Sequence, residues 1–154
     1  MSVKKLRRSY SGNEPSTRAF IAAAPHRVAI VVYPELSAFD ALGTAELLST
    51  ANNQVRRDGR AAHDIYSVEV IAPTPGPVRL EMCIQLVPNR AMSDPPKPID
   101  TLIISGGNRE PVDAARKDPA FIGWLRATAP TCRRVVSMCT GAFLLAECGL
   151  VDRF

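Results

Sequence analysis

Cys139 is the residue whose surroundings most strongly indicate chemistry. The apolar, β-branched pair Val135-Val136 precedes it, the small residues Thr140-Gly141-Ala142 follow it, and apolar residues then recur at helical spacing. A strand, a tight turn that carries a nucleophile, and a helix together form a nucleophile elbow. The helix N-terminus favours an anion such as a thiolate, because its backbone N–H groups lack partners. The alternative is that Cys139 is a small buried hydrophobic residue at a strand end, since free cysteine is commonly buried.

Two other segments are expected to reach the same place as Cys139. Asp40 follows the apolar run 28–33, and Gly106-Gly107 follows the apolar run 101–105. Runs of this kind suit parallel strands that helices cover on both faces. In an open α/β sheet, ligands gather beyond the carboxyl ends of the strands, so these residues can meet although they are far apart in sequence. The alternatives are that Asp40 is the N-cap of the next helix and that the glycine pair is a simple turn.

Alternating and apolar patterns predict the remaining elements of the sheet and its helices. Residues 64–72 predict a second strand, and residues 78–80 with 83–87 predict a β-hairpin. Residues 88–98 read as a stiff, extended connection. Asp118 before Pro119 predicts a capped helix start. Strands alternate with helices, so the predicted fold is α/β, a doubly wound, mostly parallel, flavodoxin-like sheet.

Composition places the chain among ordinary globular proteins. Its 154 residues predict at most one domain, with 46% hydrophobic and 22% charged residues. Residues 1–27 hold six Lys or Arg and one Glu, a net charge of +5, whereas the whole chain carries +4. We therefore expect residues 1–26 to form a disordered basic arm and residues 27–154 to form the α/β domain. The four cysteines lack a C-x-x-C pair and there are two histidines, so we expect no metal and no cofactor.

The elbow carries a specific resemblance. The segment Ser137 to Asp152, Ser-Met-Cys-Thr-Gly-Ala-Phe-Leu-Leu-Ala-Glu-Cys-Gly-Leu-Val-Asp, resembles the elbow of the ThiJ/PfpI superfamily, whose fold is class I glutamine amidotransferase-like. It is most similar to the sensor domains that precede AraC-type DNA-binding domains, and the similarity runs from about Arg27 to Asp152. The resemblance implies that Asp40 faces Cys139 as a catalytic or site residue. It also implies that Gly106, Gly107, Thr140 and Gly141 bind the ligand, the glycine pair lending an amide to an oxyanion pocket.

The chain departs from the family pattern because no histidine follows its elbow helix. Enzymes of the superfamily often add a histidine there, and His26 and His63 precede the first two strands instead. We expect the chain to end before the last strands of the domain.

Three functions remain open at the level of sequence. The first is the ligand-sensing N-terminal domain of an AraC-family regulator that contacts DNA only through a domain absent from this chain. The second is a small-molecule enzyme, isocyanide hydratase-like or glyoxalase/deglycase-like, that uses Cys139 and Asp40. The third is a non-catalytic binding module. We expect a small-molecule ligand, a homodimer, no membrane contact and a cytoplasmic location.

Overall fold

A five-stranded parallel sheet organises the protein. The computed structural model describes residues 24–151, so most of the predicted basic arm lies outside the described residues. The strands are β1 His26–Val31, β2 Tyr66–Ala72, β3 Val78–Arg79, β4 Gln85–Leu86, β5 Arg90–Ala91, β6 Thr101–Ile104 and β7 Arg134–Ser137. The helices are α1 Ala38–Arg57, α2 Arg109–Arg116, α3 Pro119–Thr128 and α4 Ala142–Glu147. The strand order in the main sheet is β5-β2-β1-β6-β7.

Strands β1 and β6 lie at the centre of the sheet and are largely buried. β1 pairs in parallel with both β2 and β6, and all four residues of β6 are buried. This burial explains why both strands read as continuous apolar runs rather than alternating ones. The predicted α/β fold with a mostly parallel sheet is confirmed.

The direction of the crossovers places the helices on both faces. The connection from β1 to β2 through α1 runs toward one edge of the sheet, and the connection from β6 to β7 through α2 and α3 runs toward the other. Because β-α-β crossovers are right-handed, α1 lies on one face and α2 and α3 lie on the opposite face. The strand order reverses between β1 and β6, which makes their carboxyl ends the expected binding crevice.

Several boundaries differ from the sequence prediction. Asp40 was considered as the N-cap of the helix after the first strand, but α1 begins at Ala38, so Asp40 is a helical residue. The connection 88–98 contains β5, which pairs in parallel with β2, and α2 was not predicted. The capped start of α3 is confirmed, because the Asp118 side chain accepts hydrogen bonds from the backbone N–H groups of Ala120 and Phe121. The hairpin is also confirmed as an antiparallel pair, β3 with β4, separate from the main sheet.

Candidate ligand site at the elbow

Cys139 occupies a strained backbone position two residues after the end of β7. A single turn of 3-10 helix, Cys139–Gly141, follows the strand and leads into α4. The φ angle of Cys139 is 48°, in the left-handed region, and its side chain is exposed. A non-glycine residue in that region costs on the order of 1–3 kcal/mol, and such residues cluster at functional sites. The predicted strand–turn–helix elbow is present, and it presents the thiol to solvent.

The elbow packs so closely against β6 that two positions exclude a side chain. A Cβ atom on Gly141 would lie 2.5 Å from the carbonyl oxygen of Ile104. A Cβ atom on Gly106 would lie 2.8 Å from the carbonyl oxygen of Met138 and from the backbone nitrogen of Thr140. Both contacts involve backbone atoms, which cannot move aside cheaply. Glycine is therefore required here for close approach rather than for an unusual φ angle.

Thr140 joins the elbow to the Gly106-Gly107 turn. Its hydroxyl donates to the carbonyl oxygen of Gly107 at 2.7 Å and accepts from the N–H of Gly107 at 2.9 Å. We call these two hydrogen bonds the Thr140–Gly107 pair. They fix the residue next to Cys139 against the loop that follows β6.

Asp40 reaches the other amide of the same turn. Its side chain is buried, and Oδ2 accepts a hydrogen bond from the Gly106 N–H at 3.0 Å. Ser37 is the N-cap of α1, and no side-chain cap hydrogen bond forms there, so Asp40 is not the cap. Among the described residues the Asp40 carboxylate therefore bonds to the glycine turn. Its role as a site residue that faces Cys139 stays a prediction.

Both backbone N–H groups of the Gly106-Gly107 turn already donate a hydrogen bond to a side chain. Asp40 takes the N–H of Gly106 and Thr140 takes the N–H of Gly107. An oxyanion pocket needs donors aimed at the position where negative charge develops. Neither of these two N–H groups can donate to a developing oxyanion while it is bonded to its side-chain partner.

Tyr33 lies beneath the site and was not identified from the sequence. It is 1% exposed, and its hydroxyl donates to the carbonyl oxygen of Ser105 at 3.1 Å. Burial raises the pKa of Tyr33, and the nearby negative charges of Asp40 and Cys139 raise it further. The side-chain oxygen of Ser105 is buried without a hydrogen-bond partner in the described part of the chain. The only sequence signal for Tyr33 was its place at the end of an apolar run.

The other candidate groups lie away from the elbow. His26 Nε2 is 2.8 Å from the Thr101 hydroxyl, at the amino ends of β1 and β6, and His63 precedes β2. Burial raises the pKa of the Cys132 and Cys148 thiols, whose sulfur atoms contact backbone carbonyls. Within residues 24–151, no group of three His, Cys, Asp or Glu residues could hold a metal ion. The helices described in this range are too short or too polar to cross a bilayer.

The fold and the site define an α/β protein with a cysteine elbow beside the strand-order reversal. The profile of the DJ-1/PfpI family matches residues 26–153. The chain therefore belongs to the DJ-1/PfpI family.

Two sequence relatives differ in how much they cover. The HTH-type transcriptional regulator Rv1931c of Mycobacterium tuberculosis is 56% identical over 59 residues, which are 38% of this chain and 22% of that protein. An uncharacterized protein in the cpoL 5' region of Streptomyces lividans is 31% identical over 132 residues, or 86% of each chain. The match to the regulator thus spans less than a quarter of its length.

Solved structures support the fold. A ThiJ/PfpI family protein from Pseudomonas syringae aligns with a TM-score of 0.67 at 19% identity, covering 82% of this chain and 47% of that one. An AraC family transcriptional regulator from Pseudomonas putida aligns with a TM-score of 0.59 at 20% identity, covering 84% and 74%. Relatives that carry the name of a transcriptional regulator thus appear in both the sequence and the structure comparisons.

Proposed function

We propose that this chain contains the ligand-sensing, DJ-1/PfpI-type part of an AraC-family transcriptional regulator. The observation that carries the proposal is the engagement of both turn amides, by Asp40 and by Thr140. A site with an exposed thiol but no free donor on the glycine turn is better suited to binding than to acyl or carbonyl chemistry. The 56% identity to a segment of an HTH-type regulator supports the same function.

The proposed site consists of the residues around the elbow. Cys139 and Asp40 form its reactive and charged parts, and Gly106, Gly107, Thr140 and Gly141 form its walls. A small-molecule ligand binds there, and DNA contact belongs to a domain outside this chain. The protein acts in the cytoplasm, where thiols stay reduced.

A second candidate is a small-molecule enzyme of the hydratase or deglycase type. One observation favours it: Cys139 is exposed at a strained φ angle, which is how elbow nucleophiles are presented. Nucleophilic catalysis also needs a positioned base. Asp40 accepts the Gly106 N–H through Oδ2, and among the described residues no hydrogen bond joins it to Cys139, which makes this the weaker candidate.

Binding and turnover assays on one preparation separate the two functions. A small-molecule library is screened by thermal unfolding, since a ligand that binds only the folded state raises the melting temperature. Turnover of an isocyanide and of methylglyoxal is then measured. The variants are Cys139→Ser and, as a control with a free thiol away from the elbow, Cys132→Ser.

The sensor proposal expects ligand-induced stabilisation that Cys139→Ser loses and Cys132→Ser keeps, with turnover at background. Turnover that depends on Cys139 at roughly 1–10³ s⁻¹, the usual range for enzymes, would establish the enzyme instead.

A further inference from the structure

The Gly106-Gly107 turn is held on two sides. On one side it meets the elbow through the Thr140–Gly107 pair. On the other side it meets the loop between β1 and α1, because Leu36 and Gly107 form an isolated antiparallel bridge and the Ser37 N–H donates to the Gly106 carbonyl at 3.0 Å. A shift of the turn must therefore disturb both neighbours.

The β3–β4 hairpin is attached to the same loop and the same turn. The Glu81 N–H donates to the Leu36 carbonyl at 3.0 Å, and the Asn108 side chain donates to Glu81 Oε1 at 2.9 Å. The Glu35 N–H donates to the Arg79 carbonyl at 2.8 Å, and the two side chains form an ion pair at 3.0 Å. Two separate routes, through Leu36 and through Asn108, thus lead from Gly107 to Glu81.

Residues with a strained backbone lie in the same three segments: the β1–α1 loop, the hairpin and the elbow. In residues 24–151 the non-glycine residues with a left-handed φ angle are Glu35, Met82, Cys83 and Cys139. The first lies in the β1–α1 loop, the next two lie in the hairpin, and the last is the elbow residue. Strained residues concentrate at ligand clamps and switch regions, where the surrounding contacts hold them.

We infer that the hairpin is coupled to the elbow through the Gly106-Gly107 turn, so that a change at the Thr140–Gly107 pair alters the hairpin. Opening the Thr140–Gly107 pair frees Gly107 from the elbow, and the contacts through Leu36 and Asn108 then pass the change to the hairpin. The biological meaning of this coupling rests on the proposed sensor function, but the coupling itself requires neither ligand nor DNA.

Hydrogen exchange of the hairpin measures the coupling in one direction. Thr140→Val removes the hydroxyl, although Thr140 makes no hydrogen bond to the hairpin. We expect amide exchange in the peptide 78–86 to rise about five-fold or more, because about five-fold is the factor for one lost hydrogen bond and the substitution removes both bonds of the Thr140–Gly107 pair. Thr140→Ser keeps a hydroxyl and should restore slow exchange. Thr131→Val is the matched control, because that hydroxyl also donates to a backbone carbonyl, of Thr128 at 2.7 Å, away from the site.

Alkylation of Cys139 measures the coupling in the other direction, from a contact of the hairpin to the elbow. Asn108→Ala removes the hydrogen bond to Glu81 and should change the rate of Cys139 alkylation by iodoacetamide about five-fold, for the same reason. Gln54→Ala removes a similar exposed bond, from Gln54 to Asp58 at 2.8 Å, and should leave that rate unchanged.

The outcomes separate the coupling from the proposed function. Faster exchange in residues 78–86, while α3 keeps its wild-type exchange, supports the coupling. Faster exchange confined to residues 105–108 and 138–142, or an equal rise everywhere, overturns it. If Thr140→Val does not fold, amide exchange in residues 78–86 and in α3 is compared between wild-type protein alkylated at Cys139 and unmodified protein. Coupling without ligand binding would leave the inference standing and count against the sensor proposal alone.

Discussion

At the scale of single residues, Gly141 has the least room in the site. A Cβ atom there would lie 2.5 Å from the Ile104 carbonyl oxygen, so Gly141→Ala must push the elbow away from β6. We expect a loss of about 1–3 kcal/mol in the free energy of unfolding, the usual cost of overpacking. Urea unfolding measures it.

Gly123 is the matched control for that substitution. It lies inside α3, and a Cβ atom there would meet nothing within 4 Å outside its own helix, so Gly123→Ala should stabilise the protein by roughly 0.5–1 kcal/mol. Equal effects of the two substitutions would contradict the close approach of the elbow to β6.

Tyr33 should make the protein sensitive to alkaline pH. Its pKa is raised above 10.0 in the folded state by burial and by the charges of Asp40 and Cys139. Above that pH the unfolded chain loses the phenol proton while the folded protein keeps it, so the stabilising contribution is present below pH 10 and falls as pH rises further. Denaturant unfolding of wild type and Tyr33→Phe across this range tests the sign. Parallel stability curves above pH 10 would show that Tyr33 is not responsible.

The sequence predicted which segments meet at the site but not how they bond. Asp40, Gly106 and Cys139 each follow a strand of a parallel sheet, and that topology alone brings them to one edge. The partner of each group depends on the backbone geometry within a few ångströms. The Thr140 hydroxyl can both donate and accept, so its residue type does not determine its hydrogen-bond partner. The folded backbone brings it to Gly107.

At the scale of secondary structure elements, Asn52 connects α1 to β2. Its side chain is buried in the middle of the helix; it donates to the Tyr66 carbonyl at 2.9 Å and accepts from the N–H groups of Ile65 and Tyr66. Asn52→Ala leaves those backbone groups unpaired and should cost about 1–3 kcal/mol in the free energy of unfolding.

The neighbouring residue provides the comparison for Asn52. Asn53 is exposed and accepts a hydrogen bond from Arg56 on the surface, so Asn53→Ala should stay within about 0.5 kcal/mol of wild type. Chemical denaturation measures both variants. A cost for Asn53→Ala as large as that for Asn52→Ala would refute the special role of the buried amide.

The elements that the sequence missed are those that depend on tertiary contacts. β5 is two residues long and is held to β2 by its ladder and by the ion pair of Arg90 with Glu69, whose atoms lie 3.0 Å apart. No local periodicity can reveal so short a strand. α2 contains Pro111 and follows a glycine turn, a pattern that favours a loop. The long apolar strands, by contrast, need only their own composition to be recognised.

At the scale of the whole molecule, we expect the exposed apolar side chains of α1 to form the interface of a homodimer. Phe39 is 80% exposed and Leu47 is 73% exposed on this helix. We expect the protein to dimerise in solution and Phe39→Ser with Leu47→Ser to weaken the dimer at least ten-fold, because the two large apolar side chains would leave the interface. Sedimentation at several concentrations measures the dissociation constant. An unchanged constant in the double variant would place the interface elsewhere.

The distribution of charge determines how the purified 154-residue chain is expected to bind DNA. Residues 1–27 carry a net charge of +5, so the remainder is close to neutral, at −1. Contacts from Lys or Arg to phosphates release counterions, which makes binding salt-dependent and independent of base sequence, whereas specific recognition needs side chains that reach base edges. We therefore expect weak binding that disappears with rising salt and shows no preference for operator DNA.

Replacing Lys4, Lys5, Arg7 and Arg8 with glutamine tests the origin of that binding. The variant should lose most of it, because it removes four of the six positive charges in the first 27 residues. Fluorescence anisotropy at several salt concentrations, with an operator and a scrambled duplex of equal length, is the measurement. Operator-selective binding that persists at high salt, or that survives these four substitutions, would mean that the α/β domain itself reads DNA. The division between a sensing domain and a separate DNA-binding domain would then be wrong.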